Sequence, residues 1–479
     1  MTVDRFQYWT QLGQVAGRSQ SGLDADTNDG GGWVPMQHIG VVGGGIGGLG
    51  AAWLLDRRYR VTLLERNRTL GGHTNTLMVE HSRGSFPVDT GFMVFNERNY
   101  PNLCKLFQHL EVSSYPTCMS FSASLEGGRL EYAGTDLNGL FGQRTNLLRP
   151  AFLRMLAEIL RFNVAAKAFQ ARASGNDLTL GEFLERGRYS ESFVRHYLLP
   201  MAAAIWSCPT EQMRAFPFLS FARFFNNHGL LDLRDRPQWR TVVGGARSYV
   251  ERMLAGMGAE VRTRCRVQRV RRLQDEVEVE VEGGERLRFD AVVFGCHGDE
   301  ALALIEGPTD LERELLGAFR YQPNRVYVHS DADLMPRRRR VWSSWNYLRG
   351  AGEDPNGPVT VTYWMNRLQR LPTERDIFVS LNPVRPPRPE LVIARFDYNH
   401  PVFDARAIAA QRQMHRIQGR DRLWFAGAYL GNGFHEDGLR AALEVAGALG
   451  VQAPWIARDA ARPTVAGVRP DLQPEALRP

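Results

Sequence analysis

The stretch Val41-Val42-Gly43-Gly44-Gly45-Ile46-Gly47-Gly48-Leu49-Gly50-Ala51-Ala52 decides the fold class. Gly43, Gly45 and Gly48 fit the pattern G-x-G-x-x-G. The first glycine permits a tight turn, the second lets the backbone approach a pyrophosphate, and the third lets helix and strand come close. The context is right on both sides: the apolar run Ile39–Val42 precedes it, helical periodicity over Ile46–Leu55 follows, and the next strand, Val61–Leu64, ends in Glu65. An acid 20 residues after Gly45 stands where a ribose diol is hydrogen-bonded, while helix amides face the diphosphate.

Outward from this unit, further strands are expected at Val261–Val270, Val277–Val281, Ala291–Phe294, Tyr327–His329, Val359–Trp364 and Leu423–Phe425. Helices are expected at Ala151–Ala173, Ser248–Met257 and Leu439–Leu449. The mixture predicts an α/β fold with a parallel sheet in at least one domain. The polar, glycine-rich residues 1–35 read as a flexible leader or the product of an upstream start codon, and 453–479 as a loosely attached tail.

The composition excludes several classes. The 479 residues are 43% hydrophobic and 10% aromatic, enough for a large core. No apolar run reaches a membrane span of about 20 residues, so a soluble or peripheral, cytoplasmic protein is expected. Five scattered cysteines without a C-x-x-C pair argue for a reducing compartment. Of 59 basic residues, 57 are arginine, because Lys105 and Lys167 are the only lysines; this spread, without a nucleic-acid-binding motif, argues against a nucleic-acid partner.

The run Glu65-Arg66-Asn67-Arg68-Thr69-Leu70-Gly71-Gly72-His73-Thr74 resembles the second cofactor motif of the flavin-dependent amine oxidase and phytoene desaturase superfamily. Arg262–Val267, Asp290–His297 and Arg422–Leu439 resemble its other cofactor segments. The resemblance spans Gln37 to Leu449. It implies a Rossmann-like, glutathione-reductase-like FAD domain, discontinuous over 36–110, 240–310 and 395–452, with an α+β substrate domain over 111–239 and 311–394. Cofactor contacts are implied at Gly43, Gly45, Ile46, Gly47, Gly48, Glu65, Arg66, Gly72, His73 and Thr74, at the backbone of Val267, and at Gly427, Gly438 and Leu439. The superfamily carries arginine at the position of His73, which here is either a cofactor contact or a neutral loop cap. An acid is usual where Ala428 stands, so Glu436 or Asp437 is expected to take over that contact. FAD is expected to be noncovalent, and no metal is expected at His435-Glu436-Asp437, since adjacent side chains diverge.

Gly71–Thr76, Val88–Phe92, Trp345–Tyr347 and Phe434–Gly438 look more closely like a branch resembling the flavin domain fused to plant cyclopropane fatty-acid synthases. This implies a fatty acyl substrate and a lipid methyltransferase partner. A flavin takes hydride at its N5, which requires a dry pocket. Tyr363, Trp345 and His435 are the catalytic candidates; the aromatic set Tyr321, Tyr327, Trp342, Trp345, Tyr347, Tyr363 and Trp364 is either an acyl-chain lining or a sheet core. Carotenoid or polyene desaturation, amine oxidation and a non-catalytic accessory role remain alternatives. The helix Ala151–Ala173 and the run Arg337–Arg340 are each either ordinary surface or a contact with anionic lipid at the inner face of a membrane.

Overall fold

A computed structural model describes residues 37–456 except 83, 173–177, 207–208, 233–234, 353, 355–356 and 358. The leader 1–35, Cys208, Ala173 and most of the tail therefore lie outside the described residues.

The glycine unit nucleates a five-stranded, wholly parallel sheet in the order Glu260–Arg262, Arg60–Leu64, His38–Val42, Ala291–Phe294, Leu423–Phe425. Its central strands are buried almost throughout, as a parallel sheet covered on both faces requires. All ten residues of the helix Ile46–Leu55 are buried, because the helix lies between this sheet and the helix His435–Ala448. Glycines set how close these layers come. A Cβ on Gly48 would stand 1.9 Å from the Gly43 carbonyl oxygen, and one on Gly50 3.2 Å from Ala442 Cβ. Gly43 itself turns the chain at φ +100°.

The strand expected at Tyr327–His329 is the end of a longer one, Arg320–His329, and two further expected elements differ from the observed ones. Val261–Val270 is not one strand: the chain leaves the sheet after Arg262, passes through Arg264 at φ +53°, and re-enters a separate antiparallel sheet as Val267–Arg272. The amides of Arg264 and Cys265 bond the carbonyls of Asn67 and Glu65, so that sheet is given up to close the loop beyond Glu65. The last helix begins at His435 rather than Leu439, because Asp437 accepts from the Phe434 amide (3.0 Å) and caps the extra turn.

The second body is a seven-stranded mixed sheet in the order Val392–Val402, Arg320–His329, Phe378–Leu381, Thr360–Trp364, Trp345–Leu348, Phe121–Leu125, Leu130–Ala133. Residues 395–402, assigned from the sequence to the cofactor domain, instead pair with Arg320–Tyr327 as an edge of this sheet. Directly paired residues share a face. One row reads Trp345, Tyr363, Val379, Val328, Ala394, and the next Tyr132, Ala123, Tyr347, Val361, Leu381, Val326, Phe396. This apolar face is covered by Leu199–Trp206 and by helices Pro150–Arg172 and Phe218–Asn227, in a core rich in phenylalanine. Trp342, Trp364 and Phe378 form a separate small cluster, so the aromatic set splits between two environments. Among the described residues no helix is long and apolar enough to cross a membrane.

Candidate functional site

Ligands of open parallel sheets bind beyond the carboxyl ends of the strands, and three segments converge there. Glu65, 6% exposed, ends its strand with both carboxylate oxygens on backbone amides: Gly44 N–H donates at 2.7 Å and Asn67 N–H at 2.7 Å. The Gly71 amide bonds the Gly44 carbonyl, and a Cβ on Gly72 would stand 3.1 Å from Gly45 Cα, so the second glycine pair lies directly against the first. Gly45 faces open space. Arg66 is exposed and pairs with Glu300 at 2.8 Å. The loop closed by Arg264 and Cys265 leads two residues later into Val267, which opens the antiparallel strand Val267–Arg272.

The helix His435–Ala448 brings a second N-terminus to the same place. A Cβ on Gly438 would meet Ile46 Cγ2 at 2.8 Å, one on Gly427 the Tyr429 ring at 2.3 Å, and one on Gly47 the Ala426 carbonyl at 2.3 Å. The amides at the starts of both helices thus present their positive dipole ends side by side. Buried Leu439 wedges between the two helices. The two acids here are not free to replace the missing acid at Ala428. Glu436 accepts from the Asn102 and Leu103 amides (3.1 and 3.0 Å) and from Asn102 Nδ2 (2.6 Å), capping the helix Pro101–His109. Burial pushes its carboxyl up to about 7, against those bonds. Asp437 caps its own helix and pairs with Arg440 at 2.8 Å.

His435, a catalytic candidate from the sequence, is bound internally. Its Nε2 meets Thr74 Oγ1 (2.7 Å) and the Tyr249 hydroxyl (2.8 Å), and its ring stacks on Phe92 at 3.9 Å. Burial holds its pKa down at about 3, so the ring is a neutral brace tying three segments together. Thr74, bonded to both partners, is the centre of that brace.

Next to it lies a group of aromatic and imidazole rings. His73 lies 4.9 Å from Tyr398, 5.4 Å from His400 and 6.3 Å from His297, whose ring stacks on Tyr321 at 4.2 Å. Burial first, then the neighbouring imidazoles, hold His73 well below its ordinary pKa, and His400 falls to about 4. Asn324 Nδ2 meets His400 Nδ1 at 3.2 Å, and the Tyr398 hydroxyl bonds Thr90 and Asn75. Trp345 and Tyr363 are not part of this group. Their strands lie four and three places from Val392–Val402, roughly 19 and 14 Å across the sheet, and their row meets that strand at Ala394, four residues short of Tyr398. Proximity in sequence rank to a conspicuous aromatic run does not place a side chain at the carboxyl ends of another sheet.

Residues 46–329, more than half the chain, match the family model described as flavin containing amine oxidoreductase. The chain belongs to that family. No curated protein sequence matches significantly. Among solved structures, the amine oxidoreductase fold seen here is similar to a CLA-producing fatty acid isomerase from P. acnes (TM-score 0.61, 14% identity, covering 86% of this chain and 98% of that one). It is also similar to putrescine oxidase bound to putrescine (TM-score 0.61, 14% identity, 86% and 98%) and to cyclohexylamine oxidase from Brevibacterium oxydans (TM-score 0.60, 18% identity, 87% and 99%).

The residues of this amine oxidoreductase fit its FAD. His73 Nε2 is buried without a partner, an atom that calls for one, and the open space beside Gly45 adjoins it through Gly72. Gly43, Gly45, Ile46, Gly47 and Gly48 would hold the diphosphate, Glu65 the ribose, Val267 the adenine, and the helix start at Gly438 the flavin end. Sequence reading missed Tyr398, His400, His297, Asn324 and Tyr249. The alternation Phe396-x-Tyr398-x-His400 was a usable signal for three positions on one face of a strand.

Proposed function

We propose that this flavin-dependent oxidoreductase removes hydride from a long apolar substrate, a fatty acyl chain. The observation that carries the reading is the character of the walls between the two bodies. His73, His400 and Tyr398 are half-buried, with the His73 ring 4.9 Å from Tyr398 and 5.4 Å from His400, a wall of neutral imidazoles and phenol. From them, half-buried Phe396, Met201, Ile205 and Tyr197 continue along the sheet face, and Phe434 stacks with Phe224 at 5.3 Å beside the flavin-end helix. Glu65 is assigned to the cofactor, and the other carboxylates around this space are committed: Glu436 and Asp437 as above, and Asp89 to Thr76, Gln369 and the Ala246 amide. Lys105 is exposed and Lys167 pairs with Asp232 on the outside of the helix Pro150–Arg172, so neither lysine belongs to this wall. Such walls favour an uncharged chain over a cation.

The bound flavin supplies a two-electron acceptor. The protein's residues do the rest: the helix termini and Glu65 fix the cofactor, the neutral imidazoles and Tyr398 exclude water without adding charge, and the apolar face aligns the chain. The fatty acid isomerase of similar fold supports an acyl chain as an occupant of this architecture. Anaerobic titration of the holoprotein tests the reading. Long-chain fatty acids or acyl phospholipids are expected to bleach the oxidised visible band and simple mono- and diamines to leave it unchanged. Bleaching by amines alone overturns the proposal, and tight lipid binding without bleaching turns it toward an accessory protein for a lipid methyltransferase.

A further inference from the structure

The outer surface of the substrate domain carries a feature that the cofactor site does not use. Of the ten large hydrophobic residues exposed among the described residues, six fall within residues 137–164: Leu137, Leu147, Leu148, Leu153, Leu160 and Val164. Leu148 is 86% exposed, Leu137 75% and Val164 71%. A scatter of single surface hydrophobics is ordinary, but a concentration of this kind marks an interaction site. In the helix Pro150–Arg172, Phe152, Met155 and Phe162 point into the core, while Leu153, Ala157, Leu160 and Val164 recur at i, i+4, i+7 and i+11 on the outward side. The helix is therefore apolar on two faces, and only one of them is covered by the described residues.

Positive charge borders this stripe. Arg144 bonds only neutral acceptors, Asn138 Oδ1 at 2.6 Å and the Phe141 carbonyl at 3.0 Å, and Arg149 likewise bonds the Arg129 carbonyl and Asn146 Oδ1. Among the described residues neither forms an ion pair. Arg340, exposed beside Gly142, adjoins Arg144 around an open cavity of about 540 Å³ lined by Gly142, Arg144, Arg338, Arg339 and Arg340. Arg338 and Arg339 are partly neutralised by Glu131 (2.8 Å) and Asp376 (3.1 Å), so the run Arg337–Arg340 is in part a structural anchor.

We propose that residues 137–164, with Arg144, Arg149 and Arg340, form a docking surface for an anionic lipid bilayer. Leu147, Leu148 and the outward helical stripe would enter the acyl boundary, and the arginines would engage headgroup phosphates, the arrangement of an interfacial amphipathic helix. Charge complementarity selects the bilayer over a second copy of this chain, since a copy would bring the same positive border to meet itself. The proposal goes beyond the acyl-chain reading and does not depend on it, although Phe152, on the buried side of the helix, packs on Tyr132, the end of the row that runs to Phe396, so that the surface and the proposed substrate face share one helix.

The test is co-sedimentation of the full-length holoprotein with vesicles of mixed phosphatidylglycerol and phosphatidylcholine, compared with phosphatidylcholine alone. Binding is expected to the anionic vesicles, to weaken as salt is raised, and to fall at least ten-fold in L148E/V164E. R144E/R340E should lose about five-fold per arginine removed. FAD content and the visible spectrum should be unchanged in both variants, since neither pair touches the cofactor cradle. Absence of binding by the wild-type protein, or equal binding by the variants, overturns the proposal. A wild-type dimer that L148E converts to a monomer in light scattering also overturns it, by making the face an interface between copies. Because the readout is sedimentation, vesicle binding that persists while lipids fail to bleach the flavin overturns the acyl-substrate reading alone.

Discussion

The two sheets of this molecule specify their sites by different means. The parallel sheet builds its cradle from backbone: positions where a Cβ would collide, amides that bond one carboxylate, and two helix ends brought within van der Waals reach. The seven-stranded sheet builds its wall from side chains on one face, set by register. A backbone-built site tolerates almost no substitution at a few positions, whereas a side-chain-built wall is chemically adjustable at many. That difference suits a fold whose similar structures include a fatty acid isomerase, a putrescine oxidase and a cyclohexylamine oxidase.

The sharpest way to break this contrast is G48A. The added Cβ would face the Gly43 carbonyl at 1.9 Å and would force apart backbone that has nowhere to go, so colourless, poorly folded protein is expected on purification. A yellow, stable G48A protein would show that the cradle is not defined by close backbone approach. E65A comes next. It strips the Gly44 and Asn67 amides of their acceptor, about 1–3 kcal/mol for each buried donor left unmade, and weakens FAD binding at least ten-fold in a fluorescence titration. On the side-chain wall, I205W should leave FAD affinity unchanged and reduce binding of long-chain fatty acids about ten-fold by filling space, which separates the two sites experimentally.

The smallest effect concerns protons. Folded His400 titrates at about 4, below the ordinary 6.5, because burial and His297 disfavour its charged form. The unfolded chain therefore takes up a proton that the folded chain refuses, and stability falls as pH drops from about 6.5 toward 4. Glu436, raised to about 7, works in the opposite sense: its contribution is complete below about 4.5 and is lost as pH rises toward 7. Melting curves across pH 4–7 should show H400N flattening the acid limb by up to one proton and E436Q flattening the limb above pH 4.5.

The backbone-built half was legible in the sequence because glycine spacing is itself the structural instruction. The spacing of Gly43 and Gly48 announces the close backbone approach seen there, whereas the bonds of Glu65 to the Gly44 and Asn67 amides are not encoded in it. The side-chain half was much less legible. Trp345 and Tyr363 stand in a conspicuous aromatic run, but strand order places them four and three strands from Tyr398 and His400, and that order is not encoded locally. Tyr398 and His400 lie where the paired long strands Arg320–His329 and Val392–Val402 run on beyond the four-residue strand Phe378–Leu381, a property of length that periodicity alone does not reveal. The expectation that Glu436 or Asp437 replaces the acid missing at Ala428 comes from the family resemblance; their partners Asn102 and Arg440 are fixed by tertiary packing and by the helix's own earlier start.

The brace of Thr74, Tyr249 and His435 has a consequence for how the chain is made. Thr74 and His435 are 361 positions apart, and the last strand of the parallel sheet, Leu423–Phe425, comes only shortly before His435. During synthesis the N-terminal strands and their glycine turn emerge long before the residues that complete their sheet, so their apolar edges wait through most of translation. The cofactor cradle is thus a late product of a slow, high-contact-order assembly, and the nascent chain is exposed to aggregation until its final helix arrives.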